Sequence, residues 1–132
     1  MEISFIEKDE RMAPKCMVLS STGPEGGLAR VHDIDPAMVL SGSPNEHSAS
    51  FASVDGKFDV GIFQADAYEE RIENYPVAEV MVILEGQARL ESDDGTVTEL
   101  RRGDVAYIEN GWTGYWRQSA RMRKFTVMYT PD

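Results

Sequence analysis

The feature that most constrains this chain is a run of turn signals at near-regular intervals. From Ser48 onward, Asp55-Gly56, Asn74-Tyr75-Pro76, Glu85-Gly86, Asp94-Gly95, Gly103-Asp104, Asn110-Gly111 and residues 118–120 follow one another roughly 8–20 residues apart, mostly near 8–10. Aspartate, asparagine and glycine tolerate positive φ, and Asp-Gly is the preferred pair for a two-residue hairpin turn. Between the turns lie 57–65, 77–84, 87–92, 96–100, 105–108, 112–117 and 122–130, each rich in β-branched, aromatic or alternating apolar residues. No window carries a sustained helical stripe between caps, although residues 67–71 are compatible with one helical turn. Many short strands with even turns predict an all-β sandwich or barrel.

The first 47 residues differ in pattern. They hold Pro14, Pro24, Pro36 and Pro44, a glycine cluster at 23–27, and only short apolar pieces at 17–19 and 37–40. They are expected to form an arm of short edge strands packed on a β-barrel core at 48–132. At 132 residues the whole is one domain, and 42% hydrophobic content with 11 glycines supports a core.

Charge and cysteine narrow the setting. Thirteen Lys+Arg against 23 Asp+Glu leave a net charge of −10, so phosphate backbones and anionic lipid repel the chain and neither nucleic acid nor membrane is an expected partner. A single cysteine, Cys16, forms no intrachain disulfide and suits a reducing compartment; beside Lys15 alone it reads as a buried or inert thiol. The opening MEISFIEKDERM lacks the apolar stretch of a secretory signal. The longest apolar run, 80–84, is far short of the roughly 20 residues that span a bilayer. A cytoplasmic protein is expected. Phosphate-binding glycine loops, G-x-S-x-G and H-E-x-x-H are absent from the sequence.

Glu79-Val-Met-Val-Ile-Leu-Glu-Gly86 fits the E(X)6G half of the first cupin motif, and Gly103-Asp104 with Asn110-Gly111 fits the glycine frame of the second. Gly111-Trp-Thr-Gly114-Tyr-Trp116, followed by Arg123-Lys124-Phe-Thr-Val, resembles a narrower branch, the single-domain cupins grouped with ureidoglycine aminohydrolase and ethanolamine-utilisation Q-type proteins. Upstream, Leu40-Ser-Gly-Ser-Pro44 and residues 58–63 extend the resemblance, which covers about residues 31–130. It implies a cupin-type jelly-roll β-barrel, often a homodimer, with its site in the barrel mouth.

Metal-holding cupins use two histidines and a glutamate from the first motif and one histidine from the second, converging on manganese, iron, nickel or zinc. By that resemblance Glu79 is retained. The first-motif histidine positions fall on Glu73 and Tyr75, or on Ile72 and Asn74 with a gap one longer. The second-motif histidine position falls on Gly114, and Glu109 stands for the usual proline. The resemblance therefore implies no ordinary metal site and no cofactor. His32 and His47, beside Asp33 and Glu46, lie in the irregular region, where their spacing fixes no geometry. A metal held through Glu73, Tyr75 and Glu79 is the less favoured alternative.

With Glu79 pointing inward, alternation turns Val77, Met81 and Ile83 inward too, and Gly114 shares a face with Trp112, Trp116 and Gln118. The expected cavity is bordered by Glu73, Tyr75, Glu79, Met81, Trp116 and Gln118, with open space at Gly114. A carboxylate in an apolar strand is costly unless protonated, hydrogen-bonded or paired, and desolvation suits it to proton transfer near neutrality. Glu79 and Tyr75 are the catalytic candidates; Glu73, Met81, Trp116, Gln118 and Lys124 are the ligand-binding candidates. Arg121, Arg123 and Lys124 lie on alternating faces of one strand, so either face of it could present a cation to the cavity.

Three readings follow. The first is a cupin that binds a small molecule without catalysis. The second is a metal-independent isomerase, lyase or hydrolase in which Glu79 shuttles a proton, assisted by Tyr75 or Lys124. The third is a structural dimer module whose interior is filled by its own side chains; an open cavity of roughly 300 Å³ or more counts against it.

Overall fold

A computed structural model describes residues 13–132, so the opening segment, with its lack of a secretory signal, lies outside the described residues. The described chain forms two antiparallel sheets. The first has the order β1 (Ala29–Arg30), β3 (His47–Val54), β4 (Phe58–Ala65), β11 (Met122–Tyr129), β6 (Ala78–Glu85), β9 (Val105–Ile108). The second runs β2 (Val39–Gly42), β5 (Tyr68–Ile72), β10 (Gly114–Gln118), β7 (Gln87–Ser92), β8 (Val97–Arg101). The arm's two short strands close one edge of each sheet. A 3-10 turn at Pro36–Met38, capped by the Asp35 carboxylate on the Ala37 N–H at 2.9 Å, joins them. Among the described residues no helix is long and apolar enough to cross a membrane.

The predicted turns lie between strands. Asp55 and Gly56 have φ of 56° and 66°, the two positive values a type I′ hairpin needs, and join β3 to β4. Gly86 joins β6 to β7 at φ 85°, and a Cβ there would lie 2.2 Å from the Arg121 carbonyl oxygen. The glycine of the E(X)6G stretch thus lets the turn lie against the start of β11.

One segment departs from expectation. Residues 67–71 contribute to β5 rather than a helical turn: Tyr68 is buried, and β5 pairs with β10 along its whole length, from Gln118↔Tyr68 to Gly114↔Ile72. A glutamate at the central inward position hides the period-2 alternation of Tyr68, Glu70 and Ile72 in the sequence. The start of β3, rich in serine and alanine, likewise carries little strand signal of its own.

Inward positions fill the space between the sheets. Met81 and Ile83 of β6 and Met122 of β11 meet Trp116, Leu90 and Leu100 from the second sheet. β6 alternates as predicted, with Glu79, Met81 and Ile83 at 0%, 0% and 1% exposure and Val80 at 38%.

Candidate functional site

β6 and β11 are neighbours, and their register sets Lys124 opposite Ile83 on the inward face. From there the ammonium reaches Glu79 Oε2 at 3.0 Å, resolving which face of β11 supplies a cation. Arg121 and Arg123 face away, held by Asp66 and by Gln64. Tyr75 approaches from the β5–β6 loop. Its N–H donates to the Trp112 carbonyl at 2.9 Å, and its own carbonyl accepts from Gly111 N–H at 2.8 Å and Asn110 Nδ2 at 2.8 Å. That clamp aims the phenol at Glu79 Oε1, to which it donates at 2.5 Å. Burial, reinforced by the Glu79 carboxylate, holds the Tyr75 hydroxyl well above the ordinary phenol range, so it stays a donor.

Lys124 is enclosed further. Its Nζ lies 4.8 Å from the Trp116 ring centre and 5.5 Å from that of Phe63, where the ring faces favour a cation. Trp116 Nε1–H donates to Gln118 Oε1 at 3.1 Å, and Gln118 Nε2 donates to the Ala65 and Asp66 carbonyls at 2.9 and 3.1 Å. Every polar atom of the cluster has a partner, which a buried ion pair needs to persist.

A second acidic layer lies beside this cluster. Tyr68 donates to Glu70 Oε1 at 3.0 Å, and Glu46 accepts the Asp33 and Ile34 N–H groups at 3.0 and 3.1 Å, fastening the arm. Burial pushes the Glu70 carboxyl up; the Tyr68 hydroxyl opposes this, the Glu46 charge adds to it and Lys124 opposes it. From 4.5 up to its raised folded value, Glu70 keeps a proton that the unfolded chain has released, so its contribution to stability falls as pH rises through that window. Glu70→Gln is therefore expected to gain on the wild type as pH climbs, with the margin smallest in acid. Urea midpoints from about pH 4 to about pH 8 measure it, and a margin that does not change with pH contradicts it.

The structure gathers Tyr75, Glu79, Met81, Trp116 and Lys124 directly and Gln118 through one hydrogen bond. It does not gather Glu73, which is exposed and lies 3.9 Å from Arg71, because the turn at Asn74 carries it outward. Nor is there open space at Gly114: a Cβ would meet the Glu91 carbonyl oxygen at 2.3 Å and the Trp112 ring at 2.6 Å. Trp112 packs, donating to Ser92 Oγ at 2.8 Å. The expected open cavity is thus a closed cluster with the lysine at its centre. Two cavities open elsewhere. One, of about 550 Å³, is an open groove on the charged outer face of the second sheet, lined by Glu69, Arg89, Glu99 and Arg117 with Gln118 and Tyr68 at its floor, and one of about 350 Å³ lies beside Glu46 and His32. His47 Nδ1 lies 3.1 Å from the Asn45 carbonyl, and Cys16 is exposed rather than buried. Sequence reasoning missed Glu46, Glu70 and Tyr68; the inward glutamate at 70 left no apolar alternation in 68–72 to reveal the latter two.

Two antiparallel sheets enclosing an inward glutamate on an E(X)6G strand define a cupin. The chain belongs to the EutQ-like cupin domain family, which matches residues 52–125. No curated protein matches the sequence. A DUF861-family protein of unknown function from Pseudomonas syringae is similar in structure, with a TM-score of 0.75 and 20% identity over 83% of this chain and 46% of that one. The present chain thus spans less than half of that relative. The EutQ protein of Clostridium difficile gives 0.58 and 14%, covering 68% and 66% of the two chains. Ectoine synthase from P. lautus gives 0.57 and 17%, covering 75% and 73%. At these identities the likeness is one of fold.

Proposed function

We propose that the protein binds a small polar molecule at the Glu79–Lys124–Tyr75 cluster, without a transition metal. The observation that carries this reading is the buried ion pair itself. Such a pair contributes little stability over apolar residues of similar volume, so its place inside the barrel favours a role in recognition. The donor set does not suit a divalent cation, since an ammonium lies 3.0 Å from the Glu79 carboxylate and a phenol donates to its other oxygen. A carboxylate-bearing ligand would compete with Glu79 for both donors. Gln118 holds Trp116 against Lys124 and also stands at the floor of the 550 Å³ groove, so it is the one residue common to both. A cytoplasmic setting accords with the single cysteine.

Elemental analysis and native mass spectrometry on protein purified without chelator, followed by a thermal-shift screen of small carboxylic acids, test the proposal. The expected result is no stoichiometric metal and a ligand whose affinity changes in Glu79→Gln. A metal bound in one-to-one ratio, or no ligand across the screen, overturns it.

A second reading is a metal-independent isomerase, lyase or hydrolase. The Tyr75 hydroxyl donating to Glu79 favours it, because it provides a proton donor and an acceptor in contact. Under this reading Glu79→Gln keeps affinity and loses turnover; under the first, affinity itself moves.

A further inference from the structure

We propose that the cavity of about 350 Å³ beside Glu46 is a second binding site, for a small zwitterion that carries both an ammonium and a carboxylate. Its lining comes from β1, the start and end of β2, and the segments that flank them, and shares no residue with the Glu79 cluster. The proposal therefore stands apart from the reading of that cluster.

Glu46 is the residue that points to a ligand. It is only 4% exposed, and its Oε1 accepts the Asp33 and Ile34 N–H groups at 3.0 and 3.1 Å. Its Oε2 has no hydrogen-bond partner among the described residues. No buried side-chain oxygen or nitrogen among those residues is sealed away without a partner, so Oε2 faces the cavity that Glu46 lines. Burial pushes the Glu46 carboxyl up; the Ile34 and Asp33 N–H groups oppose this, the Asp33 charge adds to it and His32 opposes it. A glutamine at this position would offer an oxygen to the same two N–H groups without the cost of burying a charge. The charge is thus surplus to fastening the arm. An ammonium at Oε2 replaces the water such an oxygen otherwise takes, keeps the hydrogen bond and adds the attraction of opposite charges.

Arg30 sets the other end of the ligand. Its Nη1 donates to Asn45 Oδ1 at 2.7 Å, and among the described residues it forms no ion pair, in a chain with 23 Asp+Glu. The rest of its donor fork is left for an anion. With His32 neutral, Arg30 and Glu46 make the lining electrically balanced. A lone cation there meets Arg30 and a lone anion meets Glu46, whereas a molecule bearing both charges is favoured at each end. Ile34, Val39 and Pro44 give its carbon skeleton an apolar wall, and the volume, at the small end of what ligand sites span, suits a small amino acid.

Amide NMR titration of the full chain tests this, with L-alanine, L-serine, β-alanine and 4-aminobutyrate as probes and propylamine and propionate as single-charge controls. At least one zwitterion is expected to bind saturably and to shift the Asp33, Ile34 and Asn45 amides, with both controls at least about tenfold weaker. Glu46→Gln is expected to keep the wild-type urea midpoint and lose about tenfold or more in affinity. Arg30→Gln, at an exposed side chain where folding is not at stake, is expected to lose as much. Wild-type affinity in either variant overturns the proposal, as does a control that binds as well as the zwitterions. So does a panel that leaves those amides unmoved, or shifts centred on Tyr75 and Lys124, which would assign the ligand to the Glu79 cluster. Binding that emerges only in Lys8→Gln/Arg11→Gln also overturns it, because the chain's own opening segment would then be the occupant.

Discussion

Lys124→Met is expected to destabilise the protein by about 3–5 kcal/mol, while the double variant Glu79→Leu/Lys124→Met recovers most of that loss. Methionine keeps much of the aliphatic stem beside Trp116 and Phe63, so the loss reports the missing charge rather than a cavity. With the ammonium gone, the wholly buried Glu79 carboxylate retains only the Tyr75 hydroxyl on Oε1, and Oε2 faces Met81 and the new apolar side chain. Removing both charges leaves two apolar groups inside an apolar core, an exchange that for buried pairs is often neutral or stabilising. Urea denaturation of the three variants and the wild type measures the cycle. A single-variant loss below about 1 kcal/mol would mean that water reaches the carboxylate and the cluster is open. Tyr75→Phe tests the other oxygen and is expected to cost about 1–3 kcal/mol.

Gly86→Ala is expected to cost about 3 kcal/mol or more, or to yield no soluble protein. Two penalties add. The residue has φ 85°, where an L side chain is strained by about 1–3 kcal/mol, and its Cβ would meet backbone, with the Arg121 oxygen at 2.2 Å and the Met122 Cα at 2.9 Å. Met122 opens β11 and pairs with Ala65, so the backbone there has little room to yield. Gly95→Ala separates the two penalties, because Gly95 has φ 91° and a methyl group there would meet nothing within 4 Å. That variant is expected to lose only the conformational share, about 1–2 kcal/mol. Equal losses at both sites, read from urea midpoints, would show that the β6–β7 turn moves aside.

Much of this architecture was legible because the turns announce themselves. Asp55-Gly56 and Asp94-Gly95 divide the chain where hairpins form, and alternation along β6 shows its buried face once one residue is oriented. β5 was harder. Its inward glutamate breaks the apolar period, and only the Tyr68 hydroxyl that donates to Glu70 reveals why a carboxyl is tolerated there. The inward face of β11 was also undetermined, since basic residues stand on both faces. Lys124 takes its meaning from Glu79, 45 residues earlier, and no local pattern encodes a partner at that distance. Gly114 misled for a related reason. A missing side chain reads as space, whereas the Trp112 ring and the backbone of β7 had already taken it.

The position of β11 between β4 and β6 bears on how the chain is made. During synthesis the first sheet stays split until residues 122–129 leave the ribosome, with β4 and β6 each showing an unpaired edge. Throughout that interval Glu79 waits in water for an ammonium not yet translated. The nascent protein therefore has a late and abrupt closing step, and a chain stalled before Met122 presents two sticky strands to chaperones or to other copies of itself.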